Sequence, residues 1–149
     1  MTKTQTLNKL LAYCTKQGVE LLAEHEGYAA FYFSKGNKKP KVQMIQYNRF
    51  LPKTFLIYSI LHELGHRELM LEKFRDVHGK IYHKNIVILL EEILAWKRGS
   101  EIAKKARIPI NLKGYSLYSS RALRTYVGGL FILNDLEPAK IKKALESIL

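Results

Sequence analysis

The chain contains one cysteine, Cys14, so it cannot form an internal disulfide, and this fits a reducing compartment. Its apolar runs are too short to cross a bilayer, and its first residues lack the long apolar segment of a signal peptide. Acidic residues are also scarce, with 13 Asp and Glu against 25 Lys and Arg. These shortages predict a cytoplasmic protein with no membrane-spanning segment.

The excess of basic residues gives a formal net charge of +12. A field of this sign attracts nucleic acid or an acidic protein, although a basic surface can also serve only to keep a protein in solution. We expect a protein substrate that is acidic or associated with nucleic acid. Direct binding of the chain to nucleic acid stays open as an alternative.

At 149 residues and 47% hydrophobic composition, the chain has enough apolar residues for one core, which predicts a single domain over residues 1–149. Hydrophobic periodicity predicts a fold of the α+β class, with a small antiparallel sheet or hairpin packed on two long helices and with closing carboxy-terminal helices. The predicted helices span residues 6–16, 54–74, 86–106, 119–133 and 138–148, the strands span 28–33 and 41–47, and residues 75–85 and 111–118 are irregular.

The first long helix carries the sequence LHELGH at positions 61–66. His62 and His66 are four residues apart, so both imidazoles project from one helix face and can bind one metal ion, as in a zinc site. Glu63 is rotated by about a quarter turn, where it can act as general base on zinc-bound water. Gly65 is a poor helix former, which predicts that another backbone passes close by. The alternative is a pair of core histidines whose partners are protein groups.

The second long helix supplies a third candidate ligand. Glu92 lies in an apolar stripe of this helix, where a carboxylate needs a counter-charge, and a zinc ion provides one. An ion pair with a buried Lys or Arg is the alternative. The neighbouring Glu91 shares its face with Lys84 and Arg98, and we expect it to lie in water.

His78 and His83 compete with Glu92 for the third position, as in enzymes that bind zinc through three histidines. The extended pattern of those enzymes, HExxHxxGxxH, is absent because positions 69 and 72 are Leu and Glu. We therefore interpret both histidines as loop residues and as secondary candidates for substrate contact.

The sequences ILHELGH at positions 60–66 and EILAW at positions 92–96, with Glu92 26 positions after His66, resemble HExxH metallopeptidases of the ImmA/IrrE type and related small phage and prophage proteins. The resemblance implies a zincin-like fold, Zn²⁺ bound in the gluzincin manner by His62, His66 and Glu92, and Glu63 as the catalytic base. In the family an Asn or Asp often stands where this chain has Trp96, so the partner of a histidine ligand is unassigned.

Peptide-bond hydrolysis in a specific intracellular protein is the function that this pattern predicts. The oxyanion of that reaction needs a donor, for which the candidates are Tyr115, Tyr118, His78 and His83. The strand at 41–47 is a candidate edge strand for an extended substrate, unless it is an internal strand. Two other functions are kept open: a zinc-stabilised basic module that binds nucleic acid or protein without catalysis, and a zinc hydrolase that acts on a non-peptide amide.

Overall fold

The computed structural model describes residues 1–27, 29–34 and 42–134, and the single positions 139, 142, 143 and 146. This part of the chain forms an α+β fold. Its helices are α1 (Lys3–Lys16), α2 (Lys53–Leu71), α3 (Phe74–His78), α4 (Lys84–Lys105) and α5 (Leu112–Asn134), and its strands are β1 (Glu20–Glu24), β2 (Ala29–Phe33) and β3 (Gln43–Asn48).

The first helix begins three residues earlier than its leucine pattern predicts. The side chain of Thr2 accepts a hydrogen bond from the backbone N–H of Gln5, and the Gln5 side chain accepts one from the N–H of Thr2. This reciprocal capping box satisfies two backbone donors that the helix leaves unpaired, so α1 begins at Lys3. Cys14 is fully buried on its inner face.

The sheet has three strands in the order β1-β3-β2. The predicted antiparallel pairing of the second and third strands is confirmed, with Phe31 opposite Ile45. The prediction of a purely antiparallel sheet is wrong, because β1 pairs in parallel with β3. β3 is therefore an internal strand, which decides between the two alternatives left open for the strand predicted at 41–47. The edge next to α2 belongs to β2.

Two stretches predicted as irregular contain helix. The short α3 (Phe74–His78) covers the first residues of the stretch predicted as irregular at 75–85. The helix α5 begins at Leu112, so the prediction of an irregular segment at 111–118 is wrong. Asn111 caps α5, because its side-chain oxygen accepts a hydrogen bond of 3.0 Å from the N–H of Gly114. The helix predicted at 138–148 lies outside the described residues. None of the described helices is long and apolar enough to cross a membrane.

The two long helices α2 and α4 pack with their backbones in close approach. A Cβ atom built on Gly65 would lie 2.0 Å from the carbonyl oxygen of Ala95, and one on Gly99 would lie 2.6 Å from the carbonyl oxygen of Leu61. Only glycine fits at either position, which confirms the prediction that another backbone passes close to Gly65. The contact sets the distance between the two helices that carry the candidate ligands.

We expect the substitution Gly65→Ala to lower the free energy of unfolding by about 1–3 kcal/mol, because the new methyl group overlaps the Ala95 carbonyl. Gly128→Ala is the matched control, since no atom lies within 4 Å of a Cβ there. Alanine in a helix should instead raise stability by about 0.5–1 kcal/mol. Urea unfolding followed by circular dichroism measures the free energy of unfolding of both variants. Equal changes in the two variants would contradict the close approach of α2 and α4 at Gly65.

Candidate metal centre

The candidate ligands His62, His66 and Glu92 converge between α2 and α4. The histidine Nε2 atoms lie 3.1 Å apart. The two carboxylate oxygens of Glu92 lie 3.2 Å from His62 Nε2 and 3.4 Å from His66 Nε2. These three residues form a group that could hold a metal ion.

The spacing of these atoms fits a zinc ion. Ligands about 2.0–2.1 Å from a tetrahedral centre lie about 3.3 Å from one another, which is close to the separation of the two Nε2 atoms and to the distance from each Nε2 atom to its nearer Glu92 oxygen. His62 Nδ1 is buried and has no hydrogen-bond partner among the described residues, and Glu92 Oε2 faces His62 Nε2 at 3.2 Å without forming a well-directed hydrogen bond. A cation between the three side chains would pair with this buried carboxylate.

The electrostatics of the group show strong coupling between its members. Burial alone raises the pKa of Glu92, but its close contacts with His62 and His66 outweigh burial and lower the pKa to about 2. Burial alone lowers the pKa of His66, but Glu91 and Glu92 beside it raise the pKa to about 10. Burial dominates at His62 and lowers its pKa. Glu92 is thus the anionic member that a cation needs.

Glu91 lies in the protein interior, so the expectation that it stays in water is wrong. Its carboxylate faces His66 Nδ1 at 3.2 Å and also forms an ion pair with Arg75 of α3, whose Nη2 lies 3.3 Å from the same oxygen. A carboxylate on the second nitrogen of a ligand histidine fixes the ring and makes it a better donor. Arg75 supplies the counter-charge for the buried carboxylate.

Trp96 holds the other histidine in a different way. Its indole stacks on the His62 ring, with ring centroids 4.1 Å apart and an angle of 21° between the planes. The Trp96 carbonyl accepts a hydrogen bond of 2.9 Å from the hydroxyl of Tyr115. Stacking therefore orients His62, and a hydrogen bond orients His66.

The group opens into a cavity of about 1080 Å³ between β2, α2, α3 and α4. Glu63 lines this cavity, and burial raises its pKa to about 7. Phe31 and Phe33 of β2 and the side chains Leu69 and Met70 form an apolar wall. Glu63 and the three candidate ligands therefore border the same open cavity.

The other candidates for substrate contact lie away from the cavity wall. Tyr118 faces Ser59 Oγ at 3.2 Å, and Tyr115 is buried behind Trp96. His78 packs on Phe74, and His83 caps α4 by accepting a hydrogen bond from the N–H of Asn85.

Tyr126 of α5 lines the cavity, and sequence reasoning did not select it. Burial and the nearby Glu92 raise its pKa to about 12, so it remains a hydroxyl donor. Arg75 and Glu91 were also missed. The rule that a buried carboxylate needs a counter-charge applied to Glu91 as well as to Glu92, whereas no local pattern indicates Tyr126.

Comparisons of the chain with protein-family models, with curated proteins and with solved structures find no match in any of the three. The interpretation of the centre therefore depends on the residues of this chain.

Substitution of the adjacent glutamates by Gln should separate their two roles. Glu92→Gln removes the anionic ligand and should cause the larger loss of Zn²⁺ affinity. Glu91→Gln keeps the shape of the side chain but removes the charge behind His66, and we expect an affinity about 10–100-fold lower. Competition titration with a chromogenic chelator measures the dissociation constant of Zn²⁺ for each variant.

Glu101→Gln is the control for this comparison, because Glu101 is an exposed residue of the same helix, and among the described residues its ion-pair partner is Arg98. It should bind Zn²⁺ as the wild type does. Equal affinities for the wild type and Glu91→Gln would show that Glu91 does not support the ligand.

Proposed function

We propose that this chain is a zinc-dependent metallopeptidase, zincin-like and of the gluzincin type, that hydrolyses a peptide bond in a specific intracellular regulatory or partner protein. One observation carries the proposal: His62, His66 and Glu92 converge at an open cavity that Glu63 also lines. The resemblance of positions 60–66 and 92–96 to ImmA/IrrE-type metallopeptidases and their phage relatives supports the same assignment.

When bound by these donors, Zn²⁺ supplies a Lewis acid that polarises a carbonyl and lowers the pKa of water towards about 7. The protein residues do the rest. Glu63 hydrogen-bonds the attacking water, accepts its proton and passes that proton to the leaving amine. Glu91 and Trp96 keep the two imidazoles in place, so their rings do not need to reorganise during the reaction.

The substrate backbone has a docking site at β2. This strand pairs with β3 on one side, and its residues line the cavity on the other. Among the described strands none occupies that second side. An extended peptide can therefore add to β2 by main-chain hydrogen bonds, with apolar side chains against Phe31 and Phe33.

We assign the oxyanion donor to Tyr126 in preference to Tyr115 and Tyr118. A donor must face the reacting carbonyl, and of the three tyrosines only Tyr126 lines the cavity. The hydroxyls of Tyr115 and Tyr118 are used within the protein, on Trp96 and Ser59.

A purely structural zinc site is less consistent with this geometry. Such sites close around the metal with four protein ligands, whereas the described residues bring three together at this point. Hydrolysis of a non-peptide amide would use the same residues, but it gives no role to the open edge of β2.

The substitution Glu63→Gln tests the proposal, because it removes the base and leaves the three ligands unchanged. In cells of a host that carries the target protein, wild-type protein should generate one or a few new peptide amino termini. Glu63→Gln should generate none of them, a rate loss of at least about 100-fold, while it keeps its zinc. Quantitative labelling of protein amino termini gives the readout.

Glu68→Gln is the matched control, since Glu68 lies one to two turns further along α2 and does not line the cavity. It should cleave as the wild type does. New termini that appear equally with Glu63→Gln, or no new termini with zinc-loaded wild type, would contradict the peptidase assignment.

A further inference from the structure

The basic residues of the chain are not spread evenly. Residues 1–19 and 102–134 contain no Asp or Glu, although they contain nine Lys and Arg. The fold joins the two segments, because the Lys9 ammonium group donates a hydrogen bond of 2.7 Å to the carbonyl oxygen of Arg107. Leu10 of α1 and Ile108 after α4 belong to one hydrophobic cluster, which fixes this contact.

A shallow cleft of about 390 Å³ lies where the segments meet, between α1 and the end of α4. Three lysines and no carboxylate line it, and the full set of lining residues is Lys9, Ala12, Tyr13, Lys16, Gln17, Lys105 and Ala106. Lys9 and Lys16 are seven residues apart on α1, which places them on one face about 10 Å apart along the axis.

These lysines have no carboxylate partner among the described residues, unlike Arg75 and Arg98, which form ion pairs. Ammonium groups that line one cleft without an anion between them repel one another. A ligand that brings several negative charges at regular spacing relieves this repulsion. The backbone of a nucleic acid is such a ligand, and its binding releases condensed counterions.

We propose that this lysine cleft, defined by Lys9, Lys16 and Lys105, binds the phosphate backbone of double-stranded nucleic acid without sequence preference. An anionic membrane fits less well, because no large exposed apolar side chain lines the cleft for insertion into lipid. Single strands also fit less well, because Tyr13 is its only aromatic residue and is half-buried, whereas single-strand sites stack bases on exposed rings.

The lysine cleft is separate from the metal centre, since the two cavities share no lining residue. The inference therefore does not depend on the proposed peptidase activity. Binding at the lysine cleft would hold the chain on nucleic acid, close to a substrate that is itself associated with nucleic acid.

The test compares two double variants of equal charge. Lys16→Gln with Lys105→Gln removes two exposed lysines of the cleft, and Lys80→Gln with Lys84→Gln removes two exposed lysines near the other end of α4, about 30 Å away. Fluorescence anisotropy measures binding of each to two unrelated DNA duplexes over a range of NaCl concentrations. Urea unfolding verifies that both variants are folded.

We expect the cleft variant to bind both duplexes about tenfold more weakly and to lower the slope of log affinity against log salt by about two. The Lys80 and Lys84 variant should stay close to the wild type. Equal losses of DNA affinity in the two double variants would show that the binding site is not at the lysine cleft. Wild-type binding that is tighter to phosphatidylserine vesicles or to polyglutamate than to duplex DNA would overturn the assignment to nucleic acid.

Discussion

The close approach of α2 and α4 is the constraint on which the candidate centre depends. A carboxylate on one helix can reach two imidazoles on another only if the helix axes are near each other. Gly65 against the Ala95 carbonyl and Gly99 against the Leu61 carbonyl set that separation. On α2 the contact residues Leu61 and Gly65 each directly precede a ligand histidine, and on α4 both contact residues lie within two turns after Glu92. The glycines that the packing of α2 on α4 requires are thus also required for any metal bound by this group.

The two candidate histidine ligands are supported in different ways. Trp96 cannot accept a hydrogen bond from a histidine, so it orients His62 by stacking. The carboxylate that acts on His66 comes instead from Glu91, directly before the ligand Glu92. Because Glu91 is buried, it needs Arg75 from α3. The short α3, which has few core residues of its own, therefore contributes to the orientation of His66.

Sequence reasoning located the centre because its evidence is local. Two histidines at helical spacing and a glutamate in an apolar stripe are visible in the chain, and the structure brings them together. Features that depend on distant partners were missed. The strand β1, with the sequence ELLAE, has no alternation of apolar and polar residues and forms only by pairing with β3. The start of α5 looks irregular until Tyr115 packs on α2 and α4. Glu91 was misplaced because its cation lies 16 positions earlier, across a turn.

X-ray absorption at the zinc edge tests the central claim most directly, because it reports the atoms around the ion in solution. For the protein loaded with one equivalent of Zn²⁺, we predict four nitrogen or oxygen neighbours at about 2.0–2.1 Å, with the multiple-scattering pattern of two imidazoles. Glu92→Gln should lower the number of bound neighbours or displace the ion. A sulfur neighbour at about 2.3 Å, fewer than two imidazoles, or a six-coordinate hydrated ion would contradict the account.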